Sequence, residues 1–404
     1  MTSFETSARV GDARSGKLHC RDTVVETPHL FPVINFYCGG LARTHFGGGV
    51  FRTVKEFLSN EVPAANGTDY SEYFRGVMTS VASLTDFGLS RERYLSYLET
   101  PVKSRPEFAE FDGALFVDSG GYKLLNEGSL SGTNFSIETS QKLIHGIQRA
   151  FGADIAVNLD LPFEESDVYR DRVSKTEATA SFAAEFVNMD AEGSRRYLTV
   201  HGYSKAMLDR FFDTVARTLP GPIDQFYDGI AFGGLVPKKD DLNGLINAVS
   251  SLKTVLAERN LSHLPIHVLG ISGRAMPLLI ALGVDTFDSS TYLHSAINGK
   301  YSTSLFTSTN VAEADFDICD CPVCTSPALR QQMRGDAEYQ KDILGPVAVH
   351  NLILQQQFVK RLRRSIAEGN REQLRTFLEN AYQDRPQSRK FAYRVINQTL
   401  GSYF

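Results

Sequence analysis

Seven short apolar runs, each ending in glycine or a polar residue, recur through the first three quarters of this 404-residue chain. Strands that are apolar on both faces are typical of a parallel sheet covered by helices on both sides. Segments of helical periodicity, such as SIETSQKLIHGIQRAF and DDLNGLINAVSSLKTVLAERN, lie between most of the runs. With an eighth strand easily missed, the pattern favours a (β/α)8 (TIM) barrel over an open sheet. The runs are FPVINFYCGG (31–40), ALFVDSGGY (114–122), ADIAVNLDLP (153–162), RYLTVHGYS (196–204), DGIAFGGLV (228–236), PIHVLGISG (265–273) and VDTFDSSTY (284–292).

The remaining segments divide the chain around this barrel. Residues 1–28 are polar and predict a loose N-terminal tail, and residues 29–309 predict the barrel. The long interval 41–113 contains helical patterns and predicts an inserted helical segment. Residues 310–404 predict a C-terminal region of metal ligands and helices that packs on the barrel.

Composition excludes several classes of protein. Hydrophobic residues make up 42% of the chain and charged residues 22%, as in globular proteins. No run approaches the roughly 18 apolar residues of a membrane helix, and the N-terminus has no apolar signal core. We therefore expect a cytoplasmic protein without a membrane partner. Since the net charge is −5, any contact with nucleic acid would need a local basic patch.

Three of the five cysteines lie in FDICDCPVCTSPAL, at Cys319, Cys321 and Cys324. In a reducing compartment such a cluster indicates a metal site rather than disulfides. His350, near the start of a predicted helix, completes a C-x-C-x2-C-x25-H pattern. Four protein ligands leave no open position, which predicts a structural Zn²⁺. The alternative is three buried thiols with an unrelated core histidine.

Acidic residues follow three of the predicted strands. They are Asp118, Asp160 and Asp288. Chemistry in such barrels occurs at the carboxyl ends of the strands, although a single carboxylate there is often only the N-cap of the next helix. Three acids on separate strands, with His201 and the glycine pair of IAFGGLV, predict a polar ring around a pocket.

Together these segments resemble the guanine transglycosylases, barrel enzymes that exchange guanine in a nucleic acid for a 7-deazaguanine. The resemblance spans about residues 31 to 370 and is carried by DSGGY (118–122), VNLDLP (157–162), GGLVP (233–237), FDSSTY (287–292) and the metal pattern. It implies that Asp288 attacks C1′ of the nucleotide to form a covalent glycosyl-enzyme. It also implies that Asp118 is the general base that deprotonates the incoming base.

The resemblance further implies a base-binding set of Asp160, Ser119, Tyr122, His201, Gly233, Gly234, Leu235 and Leu269. Asp160 would accept from N1–H and the 2-amino group of guanine. Tyr122 would stack on the base, the alternative being an ordinary core tyrosine, and Leu269 would cover the other face. The chain departs from the family where His201 and Lys123 replace the usual glutamines.

The kind of nucleic acid that would be the substrate is predicted from segments of the tRNA enzymes that this chain lacks. The segment after the nucleophile, LHSAINGKY, holds no arginine, unlike the bacterial tRNA enzymes. The motifs look like those of archaeal tRNA enzymes, yet the chain ends soon after His350. The combination resembles the DNA-directed branch, which implies DNA as substrate, 7-cyano-7-deazaguanine as the free base and an ATPase-type partner in a restriction-modification system. A tRNA substrate is the alternative, and a homodimer is left open.

Two alternatives from other functional classes also remain. One is a catalytically silent binding subunit, and the other is a carbohydrate-active barrel. A basic run, VKRLRRSIAEGNREQLR, supplies Lys360, Arg361, Arg363 and Arg364 as candidate contacts to a nucleic-acid backbone. The alternative for this run is a solvated helix face.

Overall fold

The computed structural model describes residues 3–35, 54–59, 62, 69–85, 89–108, 111–337 and 339–401. The end of the first predicted run and the start of the predicted insertion, residues 36–53, lie outside the described residues. The strands are β1 (Phe4–Val10), β2 (Ala13–His19), β3 (Val24–Thr27), β4 (His29–Pro32), β5 (Gly76–Ser80), β6 (Ala114–Asp118), β7 (Leu130–Ser131), β8 (Ser136–Ile137), β9 (Ile155–Val157), β10 (Arg195–His201), β11 (Gly229–Gly233), β12 (Ile266–Val268), β13 (Thr286–Ser289), β14 (Lys300–Ser302) and β15 (Ser308–Asn310).

The α-helices with both ends among the described residues follow the strands in alternation up to β13 and then form the C-terminal region. They are α1 (Arg91–Tyr97), α2 (Gly121–Glu127), α3 (Gln141–Phe151), α4 (Tyr169–Val187), α5 (Lys205–Thr218), α6 (Leu242–Glu258), α7 (Met276–Ala281), α8 (Thr291–Ile297), α9 (Pro322–Thr325), α10 (Pro327–Met333), α11 (Gln340–Ala367), α12 (Arg371–Ala381) and α13 (Pro386–Leu400). Among the described helices, none has the length and apolar character needed to cross a membrane.

Eight parallel strands form one sheet in the order β4-β13-β12-β11-β10-β9-β6-β5. The first and last strands of this order are joined by a bridge between Val33 and Met78, where the Ile34 amide donates to the Met78 carbonyl over 2.8 Å. The sheet therefore closes almost completely on itself, and the predicted (β/α)8 barrel is confirmed. Its interior is filled by side chains from several strands, including Phe31, Phe116 and Tyr197.

The eighth strand is β5, which lies inside the interval that the sequence analysis assigned to an inserted helical segment. That assignment is wrong for residues 76–80, which pair with β6 along their whole length. A run of five residues that is buried almost throughout shows no periodicity from which strand and helix could be told apart. Gly76 also has a packing role, since a Cβ there would lie 2.6 Å from the ring of Phe31.

The N-terminal residues are ordered, in contrast to the predicted loose tail. Strands β1, β2 and β3 form an antiparallel sheet, and Leu18 and Val25 join the side-chain cluster inside the barrel. The buried Arg14 guanidinium donates from Nε and Nη2 to the two carboxylate oxygens of Asp285, each over 2.7 Å. The sheet is therefore attached at the amino end of the barrel, through contacts with residues far away in the sequence.

The C-terminal region packs on the barrel through α11, which contacts α8 and strand β4. Val347, Leu352, Val359 and Leu362 of this helix are fully buried. Helices α12 and α13 pack against each other, and α13 also contacts α6 and α7 of the barrel. The predicted helical region after residue 310 is thus built onto one side of the barrel.

Candidate active site

The carboxyl ends of the barrel strands surround a cavity of about 640 Å³. Asp118 at the end of β6, Asp160 after β9 and Asp288 on β13 all line it. Because parallel strands in a barrel end at one rim, acids that are far apart in the sequence converge there. The cavity therefore collects all three acids that the sequence analysis selected.

Asp118 has a carboxyl that can hold or release a proton near neutral pH. Its Oδ2 accepts hydrogen bonds from Ser80 Oγ over 3.0 Å and from the Gly120 amide over 2.9 Å. The pKa of Asp118 is raised to about 7, chiefly by loss of surrounding water and then by the negative charges of Asp160 and, more weakly, Asp288, while the hydrogen bonds from Gly120 and Ser80 oppose the rise. A carboxyl with a pKa near the working pH is suited to general acid–base catalysis.

Asp288 is held by one of its two carboxylate oxygens. Its Oδ1 accepts from the Gly270 amide over 2.7 Å and lies 3.2 Å from Nε2 of His267. Within the described residues Oδ2 accepts no hydrogen bond, although Asp288 itself is only 7% exposed and lines the cavity. The arrangement leaves one oxygen free for a reacting atom.

Asp160 and His201 form a buried pair. Asp160 accepts from Ser119 Oγ at Oδ1 over 2.6 Å and lies with Oδ2 2.8 Å from His201 Nε2. Since each carboxylate oxygen has a second lone pair, both can still accept from a ligand. His201 Nδ1 is buried and has no hydrogen-bond partner in the described part of the chain. His201 was predicted to contact the base. In the structure its direct contact is with the carboxylate of Asp160, the group that would recognise the base.

The other predicted base-binding residues divide into two groups. Tyr122, Gly233, Gly234 and Leu269 line the cavity. Tyr122 is 56% exposed, which excludes the alternative of a core tyrosine. In contrast, neither Ser119 nor Leu235 is among the lining residues. Ser119 supports Asp160. The side chain of Leu235 is fully buried in the core, and contact of the base with the backbone of this loop stays a prediction.

Sequence reasoning missed several residues of the site. Ser80 lies on the strand that was not recognised, so no signal pointed to it. His267 was visible as the one polar side chain inside the apolar run PIHVLG, and this was the signal that could have found it. Lys239 and His294 line the cavity as well.

The basic run of α11 lies toward the other end of the barrel. Arg363 donates to the carbonyl of Pro28 over 2.9 Å, directly before the amino end of β4. Arg364 pairs with Glu368, the residue directly after α11, and Lys360, Arg361 and Arg364 are exposed. Contact of this run with a nucleic-acid backbone stays a prediction, and such contact would occur away from the cavity.

The predicted metal ligands converge on one point. The ligand atoms of Cys319, Cys321, Cys324 and His350 all lie within 4.8 Å of one another. His350 Nδ1 is 3.8, 3.3 and 3.4 Å from the three sulfurs in that order. Its Nε2 lies 2.8 Å from the Ser302 carbonyl oxygen, an acceptor that keeps the proton on Nε2 and leaves the Nδ1 lone pair for a metal ion. The cluster could therefore hold a metal, and the alternative of three buried thiols with an unrelated core histidine is excluded.

Comparison with known proteins agrees with this geometry. Residues 98–385 match the family described as TGT, queuine tRNA-ribosyltransferase. The tRNA-guanine(15) transglycosylase of Aeropyrum pernix is 28% identical, over 88% of this chain and 60% of the relative. Those of Methanopyrus kandleri and Methanosarcina mazei are 27% and 26% identical, over 91% of this chain and 70% and 65% of the relatives. The chain thus spans between 60% and 70% of the length of these three relatives. This match covers more than half of the chain, so the chain belongs to the queuine tRNA-ribosyltransferase family.

Proposed function

We propose that this protein is a guanine transglycosylase that exchanges a guanine in tRNA for a free 7-deazaguanine base. The observation that carries the proposal is the convergence of Asp118, Asp160 and Asp288 in one cavity of a chain from this family. A binding subunit without activity would not need a free carboxylate beside a carboxyl that titrates near neutral pH. A carbohydrate-active barrel would leave the family match unexplained.

The choice of tRNA departs from the DNA substrate expected in the sequence analysis. The three relatives described above are all named as tRNA enzymes, which favours the tRNA alternative. Their names give no support to a restriction-modification role, an ATPase-type partner or a homodimer. DNA is therefore the competing substrate that the experiment below must exclude.

The first chemical step uses Asp288. Its free Oδ2 attacks C1′ of the target nucleotide while the C1′–N9 bond breaks and its electron pair leaves with guanine. Such a displacement passes through an oxocarbenium-like state, which a neighbouring carboxylate both stabilises and captures, as in retaining glycosidases. Enclosure of the sugar in the cavity keeps water from the adduct, so that another base rather than hydroxide completes the reaction.

Asp118 handles the proton in both directions. In its protonated form it gives a proton to the departing guanine, and as a carboxylate it then accepts the N9 proton of the incoming base. A pKa of about 7 makes both forms available at neutral pH. The number of protons on the enzyme is therefore the same before and after one exchange.

Asp160 provides the selectivity for guanine. Its two oxygens, held by Ser119 and His201, accept from N1–H and the 2-amino group, which adenine does not offer. Loss of one buried hydrogen bond to a charged group costs about 1.5–3 kcal/mol. Tyr122, exposed at the cavity, supplies an aromatic face for the base.

The incoming base is proposed to be 7-cyano-7-deazaguanine. Among the described residues, the acids that line the cavity are the three with assigned roles, and the other ionisable lining groups are Tyr122, His201, Lys239 and His294. This described lining holds no further carboxylate for a charged aminomethyl substituent, whereas a neutral nitrile needs none.

Zinc is the proposed metal of the Cys3His cluster. Zn–S and Zn–N bonds of about 2.3 and 2.0–2.1 Å at a tetrahedral angle place sulfur and nitrogen about 3.5 Å apart. The three distances from His350 Nδ1 lie within 0.3 Å of that value, between 3.3 and 3.8 Å. The metal ion would hold α9 and the loop before it against α11, and it would not take part in catalysis.

The experiment that tests the function is incorporation of isotope-labelled guanine by the purified protein. We expect label in unmodified tRNA and none in double-stranded DNA. Asp288→Asn should abolish both exchange and the covalent protein–RNA adduct, whereas Asp112→Asn, an exposed acid outside the cavity, should retain them. Label in DNA alone would show that the proposed tRNA substrate is wrong. Label in neither nucleic acid would overturn the proposed function. Nucleoside mass spectrometry of tRNA and DNA from cells with and without the gene shows which nucleic acid is modified in vivo.

A further inference from the structure

We propose that His267 is a positioning residue that fixes Oδ1 of Asp288 and thereby makes Oδ2 the atom that bonds to the sugar. This inference rests on the proposed transglycosylase function. It concerns a side chain that does not line the cavity and touches the reaction only through the carboxylate. The strand that carries it, β12, lies next to β13 with Asp288.

The two oxygens of Asp288 have different surroundings. Oδ1 has two donors close by, the Gly270 amide at 2.7 Å and His267 Nε2 at 3.2 Å. Among the described residues none donates to Oδ2. Two donors on one oxygen prevent rotation of the carboxylate about its last torsion, because rotation would break both hydrogen bonds. The free oxygen is therefore held in one direction before the substrate binds.

The ring of His267 is itself fixed in place. It is completely buried, and Thr286 Oγ1 lies 2.9 Å from Nδ1. A threonine hydroxyl can donate to an unprotonated Nδ1, which leaves the ring proton on Nε2, facing Asp288. Phe116 and Phe31 pack on the ring, with centroids at 4.6 and 6.0 Å. With a polar partner on each nitrogen, the ring is held in one orientation, with Nε2 facing Asp288.

The hydrogen bond bears on both half-reactions. When Oδ2 bonds to C1′ and the C1′–N9 pair leaves with guanine, Oδ1 becomes the carbonyl oxygen of the ester. When the lone pair on N9 of the new base attacks C1′, the C1′–Oδ2 pair returns to the carboxylate and charge develops again on Oδ1. The donors on Oδ1 stabilise that charge, so they assist release of the adduct as well as orienting the attack.

The test compares three variants with wild-type protein in the labelled-guanine exchange assay on tRNA. His267→Phe keeps an aromatic ring and removes the donor, His267→Gln can place an N–H near the position of Nε2, and Thr286→Val removes only the hydroxyl partner. His263→Phe, an exposed histidine elsewhere on the barrel, is the matched control. Thermal unfolding of each protein shows whether the variants are folded at the assay temperature.

For His267→Phe we expect kcat to fall by about 10- to 100-fold with KM for tRNA within about threefold of wild type. Release of the trapped adduct by added base should slow by a similar factor. His267→Gln should recover most of kcat, and Thr286→Val should show a smaller loss than His267→Phe. If His267 had only a structural role, His267→Phe would lower the unfolding temperature, and kcat would not fall selectively while KM stays nearly constant.

Unchanged kcat in a folded His267→Phe variant, or equal losses in the Phe and Gln variants, would overturn the positioning role while the function stands. If His267→Phe does not fold, unchanged kcat in Thr286→Val overturns it. Inactive wild-type protein would overturn the proposed function itself, and the inference with it.

Discussion

The backbone of Gly121 lies directly against the carboxylate of Asp160, and a Cβ at position 121 would be 2.5 Å from Oδ1 and 2.7 Å from Cγ. Real side chains do not approach so closely. The DSGGY segment of β6 and α2 and the VNLDLP segment after β9 therefore fit together only with glycine at this position. The closeness also means that the backbone of α2 fixes where the base-reading carboxylate can be.

We predict that Gly121→Ala displaces Asp160 and weakens base binding while the barrel remains folded. The KM for the incoming base should rise at least about tenfold, the equivalent of about 1.4 kcal/mol, measured by steady-state exchange. Gly146→Ala is the matched control, because a Cβ at this helical position meets no atom within 4 Å. That variant should be slightly stabilised and fully active. Equal KM values for the two variants would contradict the prediction.

The raised pKa of Asp118 predicts that this residue costs stability at neutral pH. In the unfolded chain the carboxyl ionises near its ordinary pKa of 3.8, whereas in the fold it does so at about 7. Between these values the folded state binds the extra proton, so wild-type stability falls as pH rises through this window. Asp118→Asn cannot ionise and should be more stable than wild type by about 1–3 kcal/mol at pH 8, with no difference near pH 4.

This variant should also be inactive in guanine exchange, which separates stability from function. Denaturant unfolding at several pH values measures the first effect, and the labelled-guanine assay measures the second. Asp112→Asn, with its exposed carboxyl, is the control for a general charge effect. A stability difference that is the same at pH 4 and pH 8 would show that the cause is not ionisation.

The hydrogen bond between His201 and Asp160 predicts how substitutions at position 201 rank. His201→Leu removes the donor and leaves a buried carboxylate oxygen short of one partner, so KM for the base should rise about 10- to 100-fold. His201→Gln keeps an N–H donor and should be affected less. The exchange assay with varied base concentration gives both values. If Leu and Gln behave alike, the histidine does not act through Asp160.

Metal analysis of purified protein should show about one zinc ion per chain, and Cys321→Ser should lose it. Because a bound metal would hold α9 to α11, we expect a lower unfolding temperature in that variant and in chelated wild-type protein. Cys20→Ala removes a buried free cysteine of the N-terminal sheet and should retain the metal. A metal-free wild-type protein of unchanged stability would contradict the assignment.

The ion pair between Arg14 and Asp285 predicts that the N-terminal sheet stabilises the barrel. Arg14→Leu leaves the buried carboxylate of Asp285 without its charged partner, which typically costs 3–5 kcal/mol. Arg9→Leu, an exposed residue of the same sheet, is the control and should change the free energy of unfolding little. Equal unfolding curves for the two variants would show that the ion pair does not contribute to stability.

Local patterns in the sequence were enough to predict the barrel, the three acids that line its cavity and the cluster that could bind a metal. Apolar runs followed by an acid or glycine indicate the strands and their carboxyl ends, and the spacing of Cys319, Cys321, Cys324 and His350 indicates the candidate metal site. These signals can be recognised in the sequence because each lies within a few residues or on one predicted helix or strand.

Only the tertiary structure decided how distant residues pair. The strand at Gly76–Ser80, the ordered sheet at residues 4–27 and the location of Arg363 depend on packing against parts of the chain far away in sequence. The same holds for the contacts of His201 with Asp160 and of His267 with Asp288. Closure of the barrel brings the ends of neighbouring strands within hydrogen-bond distance, and this is a consequence of strand order and register, which no local pattern records.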